Sequence, residues 1–509
     1  MRLIRRLISP LAMLAVAASP LPSYSQDAPR SSGDLQASID RLLDVPQFEN
    51  ATWGVQVVNL LSGEVVYERN ARKSFVPASN MKLYTSAAAL NQLGPGFTYE
   101  TRLYAFGSVV DSVLHGHLVV RGSGDPTIGG RYNDGDLTAA FRDWADSLRA
   151  HGIARINGDI VGDDDVFDDV GLGVGWSWDD ETYWYSAEVG GLVFNDNCVD
   201  VTITGTSPGR AGDVTWAPDM TDYVDVVNAT LTIHPDSSIE EGYERERASN
   251  RIRLYSDVPA GRDDRESITV ANPTRYFVHV LRSTLVSEGV AVSGNAVDVD
   301  DAPLRPDYSS SGAMIAARYV SPPLSEIASV INKPSHNLWA EQVLKTLGLY
   351  AHPDTMNGLA LPVVGTAKRG VEFAMSTFAA AGVDTSRFRM ADGSGLSRMN
   401  LITPEMNTNL LRFMWTHPDT SVSGAFLRSL PIGGVDGTID DLVEEGPAVG
   451  NLRAKTGSLT AVRNLSGYIR SGSGTSLAFA LLCNHFTVEA KEVNDVQRAF
   501  VDLLARYRQ

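Results

Sequence analysis

The spacing of hydrophobic and polar positions changes period twice along the chain. Residues 34–44, "DLQASIDRLLD", place apolar side chains three and four apart, which predicts a helix with one buried face. "TWGVQVVNL" (52–60) and "GEVVYERN" (63–70) alternate around a Ser-Gly pair, as the two strands of a hairpin do. Pro77 stops that pattern, and the alanine- and leucine-rich run to Leu93, closed by Gly94, predicts a helix that starts close to Ser79. From about residue 97 the period falls to two. "TYETRLYAFGSVVDSVLHGHLVVRGSGDPTIGG" (98–130) reads as short strands broken by Gly and Asp turns. "VVNATLTIH" (226–234), "NRIRLYSDV" (250–258) and "ESITVAN" (266–272) continue it, with one helix at "PTRYFVHVLRSTLVSEG" (273–289).

After about residue 305 the helical period returns. "LSEIASVINKPSHNLWAEQVLKTLGLY" (324–350) predicts two helices split by Pro334. Thr403 and Pro404 are a good cap and first position for a further helix. "LRAKTGS" (452–458), "RNLSGYIRS" (463–471) and "TSLAFALLCNHF" (475–486) read as a strand meander, followed by an amphipathic helix, 494–509, packed on it. The outline is an α/β (α+β) part formed by residues 26–96 and 305–509, interrupted by a β-rich insertion, 97–304, of two subdomains.

Composition narrows the function. The net charge of −18 disfavours nucleic acid and anionic membrane surfaces as partners. Arg2, Arg5 and Arg6 precede an apolar stretch, Leu7 to Ala18, with small residues Ser23 and Ser25 following it. That is the pattern of a signal peptide, residues 1–25, and predicts an exported, periplasmic chain with no integral span after cleavage. Two cysteines, Cys198 and Cys483, are too few for a disulfide scaffold or a zinc site and read as buried thiols. "GDDDVFDD" (162–169) lacks calcium-loop spacing and reads as a solvated turn, so no metal or cofactor is expected.

The chemistry begins at "VPASNMKLYTSAAAL" (76–90), where Ser79 and Lys82 lie three apart and meet on one helix face. A serine hydroxyl needs a base, and a lysine is one near neutral pH only if its pKa falls by about 2–3 units from about 10.4. Burial and a second cation would do that. "KPSHNLWAE" then supplies Ser335, His336 and Asn337, and "LRAKTGSLT" supplies Lys455, Thr456 and Gly457. Each motif alone is weak. In the order SxxK, SxN, KTG, on a helix, an inter-helix turn and a strand, they are the signature set of β-lactamases and penicillin-binding proteins.

With "RGSGDPT" (121–127), "GWSWDDETYWYSA", "FNDNCVDV", "ADGSGLSRMNLITP" and "AKTGSLTAVRNLSGYI", the chain resembles class C low-molecular-mass penicillin-binding proteins. These are D-alanyl-D-alanine carboxypeptidase/endopeptidases of the penicillin-binding protein 4 type. The resemblance implies a serine β-lactamase/DD-peptidase-like transpeptidase domain with large β-rich inserted domains between the first two motifs. It implies peptidoglycan stem peptides as substrates and β-lactams as covalent inhibitors. Ser79 would be the nucleophile and Lys82 its base, with Ser335, Asn337 and Lys455 completing the catalytic set. Thr456, Gly457 and Ser458 would hold substrate, and Asn195 and Asp196 would reach it from the insertion. His336 departs from the family's usual aspartate at a position that points away from substrate. Two alternatives stand beside it: a β-lactamase or esterase using the same trio, and a catalytically silent peptidoglycan-binding protein, against which the intact Ser79, Lys82, Ser335, Asn337 and Lys455 count.

Overall fold

The computed structural model describes residues 28–303, 305–351, 355–356, 359–360 and 363–508. The predicted signal peptide lies outside the described residues. Two ends of the chain meet in one five-stranded antiparallel sheet, in the spatial order Val65–Arg69, Thr52–Asn59, Ser476–Asn484, Val462–Arg470, Arg453–Leu459. The central strand Ser476–Asn484 is buried along almost its whole length, which is why "LAFALLCN" is continuously apolar rather than alternating. The last strand, which carries the KTG residues, is an edge strand; at its start the Ala454 N–H donates to the Pro431 carbonyl.

Helices Ser32–Leu43 and Ala490–Arg506 cover one face of this sheet, packing Leu35, Ile39, Val496, Phe500 and Leu504 on Val55, Phe479 and Leu481. The C-terminal helix thus packs on the sheet, as its amphipathic pattern predicts. Helix Pro404–Trp415, capped by the Thr403 side chain on the Met406 N–H, lies on the other face. Beyond it lies a helical layer built around Met81–Gln92, with Leu324–Asn332, Asn337–Leu349, Ala367–Ala380 and Thr420–Ser429.

A second sheet, seven-stranded, forms between these parts of the chain. Its spine is a hairpin, Glu100–Val110 with Val113–Arg121, longer than the short strands expected there. The reason is its tight turn: Asp111 and Ser112 both have positive φ (49° and 64°), so the strands pair without interruption up to Val110 and Val113. Helix Ala139–Ala150 packs against this sheet and was not anticipated, although Phe141, Trp144, Ala145 and Leu148 recur at helical spacing and are all buried. Helices Ala367–Ala380 and Thr420–Ser429 were missed as well. The acidic run at 162–169 is a solvated turn only in part: Asp165 and Asp169 are exposed, but the run begins in a buried strand. Asp163 is buried beneath Tyr308, and the Asp164 carboxyl, pushed up to about 7 by burial, accepts from the Thr274 hydroxyl at 2.5 Å. Cys198 and Cys483 are free, buried thiols in separate parts of the core.

Candidate active site

Ser79 occupies a single 3-10 turn, Ala78–Asn80, that runs directly into helix Met81–Gln92. Ten successive residues of that helix, Met81 to Leu90, are buried, because it passes through the middle of the helical layer. Lys82 is therefore 0% exposed despite its charge. The turn is held from two sides by glycines. A Cβ on Gly395 would collide with the Ala78 carbonyl oxygen, and one on Gly457 with the Pro77 carbonyl oxygen. Gly457 was expected to admit substrate to the strand edge; it also lets the edge strand close on the Ser79 turn. Asn80 Nδ2 donates to the Lys455 carbonyl at 3.0 Å, and Asn464 Nδ2 donates to the Pro77 carbonyl at 2.7 Å, which join strand and turn.

Lys82 Nζ lies 2.9 Å from Ser79 Oγ, 2.6 Å from Asn337 Oδ1 and 2.7 Å from the Ser394 carbonyl oxygen. Burial lowers its pKa to about 7, against the opposing pull of Asp392 and Glu341. Lys455 Nζ donates to Ser335 Oγ at 2.9 Å and is itself 0% exposed. Burial and then repulsion from Lys82 push its pKa well below the lysine range. The sequence argument assigned the depression of Lys82 to burial and to a neighbouring cation. Burial is the leading cause at both lysines, and the repulsion between the two works in the same direction.

Ser335 has φ +65°, a left-handed conformation that costs a non-glycine residue on the order of 1 kcal/mol or more. It follows helix Leu324–Asn332 and aims Oγ at Lys455. Asn337 opens the next helix, and its Nδ2 donates to the Tyr185 carbonyl at 2.7 Å. His336 between them is buried and turns away from the cleft, 3.2 Å from Asp196. Neither Asn195 nor Asp196 lines the cleft. Asn195 Nδ2 is engaged by the Cys198 carbonyl and Asp200. Asp196 accepts from Trp339 Nε1 at 2.6 Å; burial pushes its carboxyl up, but His336 and Arg131 hold it below the usual range. Its place is beneath the Ser335–Asn337 turn, joining the insertion to it.

Ser79, Ser335, Asn337, Thr456 and Ser458 all line one cleft of about 1140 Å³, with Lys82 and Lys455 buried behind it. Trp176, Trp184 and Tyr185, from the Trp-rich segment of the insertion, complete its wall. Thr438, which the sequence did not single out, pairs its hydroxyl with that of Thr456 at 2.7 Å. Glu341 was also missed. Its carboxylate accepts from the backbone N–H of Ser394 at 2.7 Å and of Gly393 at 3.0 Å, and so clamps the turn whose carbonyl meets Lys82. Burial, then Asp392, raises Glu341 to about 7. A signal existed: Glu341 is four residues after Asn337, on the same helix face. Asp392 belongs to the "ADGSGLSRMNLITP" segment that carries the resemblance. It is buried inside, accepting from Trp176 Nε1 and from the N–H groups of Gly395 and Ser397.

The model of the D-Ala-D-Ala carboxypeptidase 3 (S13) family matches residues 35–507. A D-alanyl-D-alanine carboxypeptidase from Actinomadura sp. (strain R39) is 31% identical over 486 residues, 93% of this chain and 85% of the relative. The D-alanyl-D-alanine carboxypeptidase DacB of Haemophilus influenzae is 26% identical over 451 residues, 86% of each chain. Among solved structures, penicillin binding protein 4 (dacB) from H. influenzae shares the fold, with a TM-score of 0.76 at 23% identity over 92% of this chain and 99% of that one. The chain belongs to the D-Ala-D-Ala carboxypeptidase 3 (S13) family and is a serine D-alanyl-D-alanine carboxypeptidase.

Proposed function

We propose that the protein cleaves peptidoglycan stem peptides through an acyl-enzyme on Ser79. The observation that carries this reading is the convergence of three acceptors on Lys82 Nζ, one of them Ser79 Oγ at 2.9 Å. With burial holding its pKa at about 7, Lys82 exists in part as the free amine near neutral pH and takes the Ser79 proton. Ser79 Oγ attacks the carbonyl of the penultimate D-Ala. The backbone N–H groups of Ser79 and Ser458 receive the oxyanion. As the C–N bond breaks, the proton held by Lys82 passes through Ser335 Oγ, held by Lys455, to the leaving amine. Lys455 and Thr456, braced by Thr438, hold the terminal carboxylate of the leaving D-Ala. Water then attacks the ester, giving a proton to Lys82, and Lys82 passes it to Ser79 Oγ as the acyl group leaves and Ser79 is regenerated. Gly457 and Ser458 bind the peptide along the edge of their strand, in the manner of an added strand.

The same cleft accounts for cleavage of D-Ala-linked cross-links as a second activity. At about 1140 Å³ and open along the strand edge, it has room for more than a terminal dipeptide. Penicillins would acylate Ser79 by the same first step. A β-lactamase differs only in a faster second step, so adduct lifetime separates the two. The working location proposed is outside the cytoplasmic membrane, on the N-terminal pattern. No helix among the described residues is long and apolar enough to cross a membrane.

The test is labelling by a fluorescent penicillin, read on a gel and by intact mass, for wild type and Ser79→Ala. A stable adduct mapped to Ser79, absent in the variant, is the expected result. An adduct that survives in Ser79→Ala would refute the assignment.

A further inference from the structure

Two strained turns face each other where the insertion meets the catalytic part. One carries Ser335 at φ +65°. The other is Asn195–Asn197, in which three successive non-glycine residues have φ of 48°, 53° and 57°. Left-handed backbone at such residues persists only where the surroundings over-determine it. Around the second turn they do. Asn195 Nδ2 donates to the Cys198 carbonyl and to Asp200, and Asn197 Nδ2 donates to the Glu188 carbonyl at 2.8 Å. Both asparagines are thus tied within the insertion. Asp196, between them, reaches out of it.

It reaches His336. Asp196 Oδ1 accepts from Trp339 Nε1 at 2.6 Å, while Oδ2 faces His336 Nε2 at 3.2 Å and Arg131 at 3.4 Å. His336 is 3% exposed. Its ring lies between those of Trp184 and Trp339, with centroids 5.4 Å and 5.7 Å away. Nδ1 is enclosed without a partner among the described residues, so the contact with Asp196 is what offsets the cost of burying a polar ring there.

His336 is the next residue after Ser335, so a fixed His336 fixes the chain on one side of it. On the other side, Lys333 pairs with Asp436, and the Lys333 carbonyl accepts from the Thr438 N–H at 3.1 Å. Asn337 is held by Lys82 and by the Tyr185 carbonyl. That leaves the two backbone dihedrals of His336 to be set by its own side chain. With all of these in place, Ser335 keeps its left-handed φ, and its Oγ stands 2.9 Å from Lys455 Nζ. A released His336 lets Ser335 relax to negative φ, which swings Oγ away from Lys455.

We propose that His336 is a positioning residue for proton delivery: Asp196 of the insertion holds its ring, and the ring holds Ser335 Oγ on Lys455. The insertion thereby contributes to the chemical step as well as to the wall of the cleft. This rests on the relay role given to Ser335 above.

Leaving groups separate this from a general loosening of the site. Breaking a C–N bond needs a proton delivered to nitrogen, whereas a thioester expels a thiolate that needs none. The substrates are a peptide ending in D-Ala-D-Ala and its thioester analogue, in which D-thiolactate replaces the leaving D-Ala and keeps the terminal carboxylate. The measurement is kcat/KM on each, with thermal melting as the check that every variant is folded. Ser335→Ala sets the scale and should slow the amide far more than the thioester. His336→Phe keeps a ring between the two tryptophans but removes the contact with Asp196. It should slow the amide by roughly tenfold and the thioester by less than about threefold, a loss within the worth of one charged hydrogen bond. Asp196→Ala should show the same selective loss. His336→Gln, whose amide nitrogen reaches the place of Nε2, should bring the amide back to within about threefold of wild type. Equal losses on amide and thioester in His336→Phe and Asp196→Ala would overturn the proposal, as would wild-type amide rates in both. So would a His336→Gln that is no faster on the amide than His336→Phe. Equal losses on the two substrates in Ser335→Ala would instead refute the relay role of Ser335.

Discussion

Glu341→Gln probes how the buried charges set the base. Ser394 links the two groups: its N–H donates to Glu341 Oε1 at 2.7 Å and its carbonyl meets Lys82 Nζ at 2.7 Å. Adding the span of one residue limits the carboxylate–ammonium separation to roughly 8–9 Å. At an effective dielectric of about 20, unit charges about 8 Å apart interact by about 2 kcal/mol, or about 1.5 pK units. The sign follows from the chemistry. A carboxylate favours the ammonium form, so it raises the Lys82 pKa; removing it lowers that pKa further below about 7. Because Lys82 must lose its proton to act, acylation rises with pH through this value. The acid limb should therefore move toward lower pH by about one unit in Glu341→Gln. Glu341 and Lys82 titrate in the same range, so the midpoint belongs to the coupled set. The assay is the second-order rate of penicillin acylation across pH for wild type and variant. Glutamine also replaces an acceptor oxygen by a donor facing one of two N–H groups, so a lower plateau rate is expected alongside the shift. An unmoved midpoint, or one displaced to higher pH, would show that Glu341 does not bear on the base.

Two other substitutions separate roles within the site. Lys455→Ala should slow D-Ala release by at least ten- to a hundredfold, about the worth of one charged hydrogen bond, with little loss of thermal stability because a desolvated cation repelled by Lys82 is removed; unchanged turnover would sink its carboxylate-holding role. Gly395→Ala places a side chain at φ +87° and against the Ala78 carbonyl, so it should destabilise the fold by at least about 1–3 kcal/mol and slow acylation together; a wild-type melting curve and rate would refute the packing argument.

Much of the site was legible because its residues are local. Ser79 and Lys82 are one helical turn apart, Ser335 and Asn337 share one turn, and Lys455 and Thr456 share one strand. Short spacings on a recognisable element predict proximity without any knowledge of the fold. Glu341 was within reach of the same argument but lies on a helix that reads as core. Thr438, Trp176 and Asp392 were beyond it, since each meets the site through contacts that no spacing encodes. Asn195 and Asp196 show the converse: the family resemblance implied that they reach substrate, yet both side chains are engaged by Asp200, Trp339, Arg131 and His336.

By itself the sequence determined the order of elements, the three motifs and the acidic balance, because periodicity, capping and turn chemistry are short-range. The tertiary structure decided everything that depends on burial and on which charges face one another. Lys82 is a base near neutral pH because the helical layer closes around it, and Lys455 is depressed first by its own burial and then by a lysine more than 370 residues away in the chain (82 against 455) that is brought alongside. Desolvation and Coulomb energy vary with position in space, and a chain reveals those distances only when it folds.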